Sequence, residues 1–179
     1  GDDVLEVAKK AYLMYFSENG LGLRAFGSLA KFESEVVQMG LALLNGGEHA
    51  RGAMTTGGTE SIFLAVKAAR DRSRQANPGL GTPTLVLAHS AHPAFDKAAH
   101  FLDVKTIRTP LRADFTADPA AMQAAITPDT VMLVGSAPAY PHGVVDPIPE
   151  IAAIAQARGI WLHVDACVGG YFAPFARML

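Results

Sequence analysis

From Asp2 to Glu18 apolar side chains return every three or four positions ("VLEVAKKAYLMYF"), the spacing of a helix with one apolar stripe. A second run of this kind, "LAKFESEVVQMGLALLN", has Ser28 placed to cap its start and Gly46 and Gly47 to stop it. Between them "ENGLGLRAFGS" reads as a loop by its glycines. A third helix follows "TTGG", with Thr59 as its expected N-cap, Glu60 at the positive end of the dipole, and Ile62, Phe63, Val66 and Ala69 at helical spacing. The rhythm then changes. Short apolar runs, "TLVLAH", "VKTIRTP", "TVMLVGS" and "GIWLHVDA", alternate with helical patterns near Pro93–Leu102, Pro119–Ile126 and Ile148–Arg158. Strands alternating with helices at this pitch predict βαβ units and an α/β fold built on a mainly parallel sheet flanked by helices.

Composition narrows the classes. The 179 residues are half hydrophobic, enough for one packed domain or a large part of a bigger one. Fifteen basic against seventeen acidic side chains leave a net charge of −2, which marks neither a nucleic-acid surface nor an anionic-membrane patch. The basic run "RDRSR" reads as a solvated helix end. A single cysteine, Cys167, excludes an intrachain disulfide framework and suits a reducing compartment. No apolar run reaches the ~18–20 residues of a spanning helix and no signal segment opens the chain, so a cytoplasmic protein without a membrane span is the expectation.

The candidate chemistry gathers where parallel sheets place ligands, beyond the carboxyl ends of the strands. His89 and His92 follow "TLVLA", Ser136 to His142 follow "VMLV", and His163 and Asp165 end "IWLHVD". With Gly57, Gly58 and Thr59 these would converge on one crevice. The two glycines make either a tight turn or a cradle for a phosphate, since a helix N-terminus offers unpaired N–H groups. The stretch matches neither a dinucleotide nor a P-loop fingerprint. Asp165, at the end of a buried-looking strand, is either a strand-end cap or the counter-ion of a cationic ring nitrogen or a metal. His92 either caps the helix after it or lays its ring on a flat ligand. Tyr140, Pro141 and His142 form either a plain loop or a wall of the site. Cys167 reads as a packing residue, His100 and His49 as structural or surface. Zinc on His89, His92 and His163 is the weaker reading, because no H-E-x-x-H or Cys/His set accompanies them.

Taken in order, "TTGGTESI", "HPAFDKAAHF", "VGSAPAYPHGVVDPI" and "WLHVDACVGG" resemble the pyridoxal-phosphate-dependent group II decarboxylase superfamily, and within it the pattern is most similar to the sphingosine-1-phosphate lyase branch. The likeness runs from about Phe26 to Gly170. It implies the large domain of PLP fold type I, the aspartate aminotransferase-like architecture, in its amino-terminal portion: a helical segment over 1–50, then the first part of the cofactor-binding domain over 51–179. It implies pyridoxal 5'-phosphate as cofactor, its phosphate on Gly57, Gly58 and Thr59. His92 would stack on the pyridine ring, Ala166 would pack on the opposite face, and Asp165 would pair with the ring nitrogen. Ser136 and His163 would line the pocket, and Tyr140 would assist proton transfer from a substrate hydroxyl. The implied reaction is retro-aldol cleavage of a phosphorylated sphingoid base to a long-chain aldehyde and phosphoethanolamine, with amino-acid decarboxylation (glutamate or aromatic type) as the alternative on the same electron sink. A homodimer acting on a small-molecule amine is the expected assembly. The family's Schiff-base lysine stands in a His-Lys pair a few tens of residues after the Asp165 strand, beyond Leu179, and Lys9, Lys10, Lys31, Lys67, Lys97 and Lys105 do not match it. A small C-terminal domain is expected beyond it too; a chain ending at Leu179 would be a non-catalytic module of the same fold.

Overall fold

The computed structural model describes residues 1–22 and 26–176, so the centre of the first loop and the last three residues lie outside the described part. The chain falls into two compact units, Gly1–Met54 and Thr55–Leu179.

The first unit holds two helices, α1 (Asp2–Tyr15) and α2 (Gly27–Leu43), and neither has a buried residue. Met14, Tyr15, Phe26, Leu29, Phe32 and Met39 line an apolar cleft of about 800 Å³. Ser28 does not cap α2: the helix starts one residue earlier, Phe26 holds the N-cap position, and Ser28 sits inside the first turn.

The second unit is a four-stranded sheet, entirely parallel, in the order β2-β1-β3-β4, with β1 Thr84–Ala88, β2 Lys105–Thr109, β3 Thr130–Ser136 and β4 Trp161–Asp165. The central strands β1 and β3 are buried at every position, which is why they read as continuous apolar runs. Strand β4 was expected to be buried; it is half-buried and lies at an edge of the described sheet.

Because strand side chains alternate, each face has its own core. On one, Leu85, Leu87 and Val134 meet Ile62 and Val66 of α3 (Gly58–Ala76) and Phe95 of α4 (Ala94–Phe101). On the other, Val86 and Leu133 meet Met122 of α5 (Pro119–Ala124) and Ile151 of α6 (Ile148–Arg158). A short last helix, α7 (Gly169–Ala176), went unpredicted because its glycines and Pro174 masked it. Among the described residues no helix is long and apolar enough to cross a membrane.

Local chemistry explains most boundaries. Asp118 caps α5 by accepting from the N–H groups of Ala120 (2.9 Å) and Ala121 (3.3 Å), with Pro119 at the first helical position. Gly159 closes α6 in the left-handed conformation (φ 64°). Helix α3 begins before Thr59. Gly57 is its N-cap, at φ 153° and ψ 175°, a conformation essentially reserved for glycine. Thr59 falls in the first turn and caps nothing.

Candidate active site

The order β2-β1-β3-β4 reverses direction at β1, and in parallel sheets such a switch point is where ligands bind, beyond the carboxyl ends of the strands. The chain delivers its polar residues to that end of the sheet.

The glycine turn is braced from both sides. Thr55 Oγ1 lies 2.7 Å from Ser61 Oγ and donates to the Gly57 carbonyl at 3.1 Å. The Glu60 carboxylate reaches back to accept from both the N–H and the hydroxyl of Thr56, each at 2.6 Å. Those hydrogen bonds, the hydroxyl's first, hold the Glu60 carboxyl below its usual range. The first helical bond runs from the Ser61 N–H to the Gly57 carbonyl (3.1 Å), so the N–H groups of Gly58, Thr59 and Glu60 have no partner within the helix. A methyl built on Gly58 would lie 3.6 Å from Cys167 Sγ, which sets this turn against the segment just past β4.

Asp165 is half-buried at the end of β4, in register with Ser136 on β3, and its carbonyl accepts from Ala137 N–H (2.8 Å). His163, two residues back on the same face, pairs with Val134 and sets its ring edge-on to Phe95 at 5.6 Å. Burial pulls the His163 pKa down, and the nearby Asp165 charge only partly opposes it. A pKa held below 6.5 favours the neutral imidazole at pH 7. Ala166, half-buried, accepts from Gly170 N–H at 2.8 Å.

His92 is exposed just ahead of α4, where its Nδ1 accepts from Ala94 N–H at 3.1 Å. The N-cap of α4 is Pro93, so His92 meets the first N–H of the helix from one position further out. A nitrogen that accepts carries no proton, which puts the neutral ring's proton on Nε2. Tyr140 stands 86% exposed at the tip of a turn closed by the Ala139–Val144 bridge, so it contributes to no packed wall within the described residues. His142, in the same turn, stacks on Phe115 at 4.6 Å. The glycine turn, Ser136, His163, Asp165, Ala166 and His92 thus share the carboxyl end of the sheet.

Three features escaped the sequence reading. Asp146, 3% exposed, accepts from the N–H of Ala117 (2.8 Å) and of Ser136 (2.7 Å), tying the end of β3 to the entry of α5. Arg108 on β2 spans to the turn that carries His92 and to Asp96 on α4. Ser90, 6% exposed, has a buried hydroxyl without a partner among the described residues. The signal for Asp146 was an "Asp-Pro" ahead of a helix; a fork that joins Arg108 to residues 12 to 20 positions away leaves no local trace. Among the described residues no cluster of three or more His, Cys, Asp or Glu side chains is placed to hold a metal.

A sequence model of the pyridoxal-dependent decarboxylase conserved domain matches residues 29–179. Over 175 residues the chain is 46% identical to sphingosine-1-phosphate lyase of Oryza sativa, covering 95% of this chain and 32% of that protein. It is 39% identical over 174 residues to a probable L-aspartate decarboxylase of Pyrococcus furiosus, covering 97% of this chain and 45% of that one. Among solved structures it superimposes on a sphingosine-1-phosphate lyase of Burkholderia pseudomallei with a TM-score of 0.90 at 37% identity, over 99% of this chain and 42% of that chain. The chain thus spans about a third of the length of the curated lyase.

Proposed function

The chain belongs to the pyridoxal-dependent decarboxylase family, with the PLP fold type I and pyridoxal phosphate as its cofactor, and we propose that it is the cofactor-binding part of a lyase that cleaves a phosphorylated sphingoid base to a long-chain aldehyde and phosphoethanolamine by retro-aldol chemistry. The observation that carries this reading is the approach of Gly58 to Cys167, which brings the glycine turn to the end of the strand that presents Asp165.

The donor set suits a phosphorylated, cationic ring. The N–H groups of Gly58, Thr59 and Glu60, without partners among the described residues, can donate to an anion at the helix N-terminus beside a glycine at φ 153°, and nothing described comes within 4 Å of a methyl built on Gly57. Asp165 and His163 lie on one face of β4, and the buried Ser90 hydroxyl, without a partner among the described residues, marks the neighbouring turn as a place for a polar group.

Gly57, Gly58 and Thr59 would hold the phosphate, Asp165 would keep the proton on the ring nitrogen, and His92 would lie over one ring face with Ala166 beneath the other. Ser136 and the neutral His163 would line the pocket, and Tyr140, exposed in its turn, would take the proton of the substrate hydroxyl. Bound in this way, the cofactor supplies a cationic ring that draws off the electron pair left when the carbon–carbon bond breaks. The apolar, uncovered faces of α1 and α2 support a homodimer in which a second copy covers them.

Identity to the sphingosine-1-phosphate lyases favours the lyase; the likeness to an L-aspartate decarboxylase favours amino-acid decarboxylation as the second reading. The deciding experiment offers the full-length protein a phosphorylated sphingoid base and, separately, acidic and aromatic amino acids, and measures aldehyde and carbon dioxide. Aldehyde release, lowered about 100-fold or more by Asp165→Ala, is the expected result. Carbon dioxide from an amino acid with no aldehyde would move the protein to the decarboxylases, and an unimpaired Asp165→Ala would overturn the role of Asp165.

A further inference from the structure

The side chain of Arg108 leaves β2, crosses under the end of β1 and ends in a fork. Its Nη1 donates to the carbonyls of Ala88 (3.1 Å), His89 (3.0 Å) and Ala91 (3.1 Å), the turn that leads into His92. Its Nη2 and Nε donate to Asp96 Oδ2 on α4, at 2.6 and 3.2 Å. The other carboxylate oxygen of Asp96 accepts from Thr106 Oγ1 at 2.8 Å, so Asp96 is held from β2 at both oxygens. Burial alone would raise the Asp96 pKa, but hydrogen bonds from Arg108 and Thr106 outweigh it and leave the group below its usual range.

His92 sits between the two arms of this fork. Upstream, the guanidinium fixes three carbonyls of its turn. Downstream, the same guanidinium fixes α4, whose Ala94 N–H holds the imidazole by Nδ1. Two backbone anchors and one ring contact leave the His92 side chain little freedom.

We propose that Arg108 is a positioning residue for the cofactor: by clamping the 88–91 turn and Asp96 it sets the plane and height of the His92 ring against the pyridoxal ring. The proposal rests on the reading of His92 as the ring that lies on the cofactor. A lysine at 108 keeps the charge and one bond to Asp96 but cannot span four acceptors, because its ammonium is a point donor where guanidinium is a planar fork.

The test is a double-mutant cycle on the full-length protein, with Arg108→Lys, His92→Ala and the pair. The readouts are pyridoxal phosphate affinity after resolution, visible circular dichroism of the bound cofactor, and amide hydrogen exchange at Ala94 in the cofactor-free protein. Stacking of an aromatic ring predicts that His92→Ala weakens binding by about 2- to 10-fold. Arg108→Lys is expected to reproduce much of that loss, to change the dichroic band and to speed exchange at Ala94, while the double variant is no weaker than His92→Ala. A fully additive double variant, or Arg108→Lys indistinguishable from the parent beside an impaired His92→Ala, overturns the positioning role. An unimpaired His92→Ala instead overturns the underlying reading of His92, whatever Arg108 does. Should Arg108→Lys fail to fold, Asp96→Asn removes one arm of the clamp and decides the matter through the same cycle.

Discussion

Replacing Asp146 tests how the end of β3 is held. Its two carboxylate oxygens serve different segments of the fold, Oδ1 the Ala117 N–H and Oδ2 the Ser136 N–H, and all three residues are at most 3% exposed. Water cannot replace either bond at that depth. Asp146→Ala leaves two buried donors unpaired, at about 1–3 kcal/mol each, for a loss of about 2–6 kcal/mol. Asparagine keeps the shape but has a single carbonyl oxygen, so its amide nitrogen must face one of the two N–H groups. Asp146→Asn is therefore expected to lose about half as much, near 1–3 kcal/mol. Set against a total stability of about 5–15 kcal/mol, the alanine change brings the domain close to unfolding. Urea denaturation followed by far-ultraviolet circular dichroism reads the effect. With a slope of about 1–3 kcal/mol per molar, the asparagine midpoint falls by about 1 M at constant slope. An Asn variant within about 0.5 kcal/mol of the parent would refute the two-donor account, because a neutral amide would then serve both N–H groups.

Gly57→Ala meets no atom within 4 Å, so its cost is the backbone alone: a φ of 153° penalises any side chain by about 1–3 kcal/mol, and the turn relaxes away from the anion, lowering affinity for pyridoxal phosphate in equilibrium dialysis. His163 makes stability pH-dependent. Its folded pKa lies below the ordinary 6.5, so the unfolded chain binds the proton more readily and stability falls as pH drops through 6.5 and below. His163→Phe should flatten the decline between pH 7.5 and 5 in thermal melts, and an unchanged slope would remove His163 as its source.

The sequence carried most of the strand and helix plan, because each element obeys a local period. Strands β1 and β3, buried on both faces, appear as unbroken apolar runs, and α3 shows its core stripe as Ile62, Val66 and Ala69. What failed were the caps. Ser28 and Thr59 are good capping types, but the N-caps of α2 and α3 stand two residues earlier, at Phe26 and Gly57, and at α3 the glycine's unusual φ turns the backbone in place of a hydroxyl. The residues lining the carboxyl end of the sheet were legible because parallel topology sends strand ends to one place. The supports beneath them were not. Asp146 and Arg108 act across 10 to 29 and 12 to 20 positions of sequence, distances at which no periodicity reports a contact.

Parallel pairing has a consequence in time. Adjacent strands are never joined by a tight turn, and the central pair β1–β3 brings Thr84 against Thr130, whose hydroxyls lie 3.0 Å apart across 46 positions. A ribosome releases the glycine turn first and Asp165 more than a hundred residues later, so on the proposed reading the phosphate cradle emerges well before the carboxylate that would pair with the ring nitrogen. Cofactor affinity then becomes a clock for β4: a nascent chain stalled before that strand is expected to bind pyridoxal phosphate more weakly than one in which the strand has emerged and paired with β3.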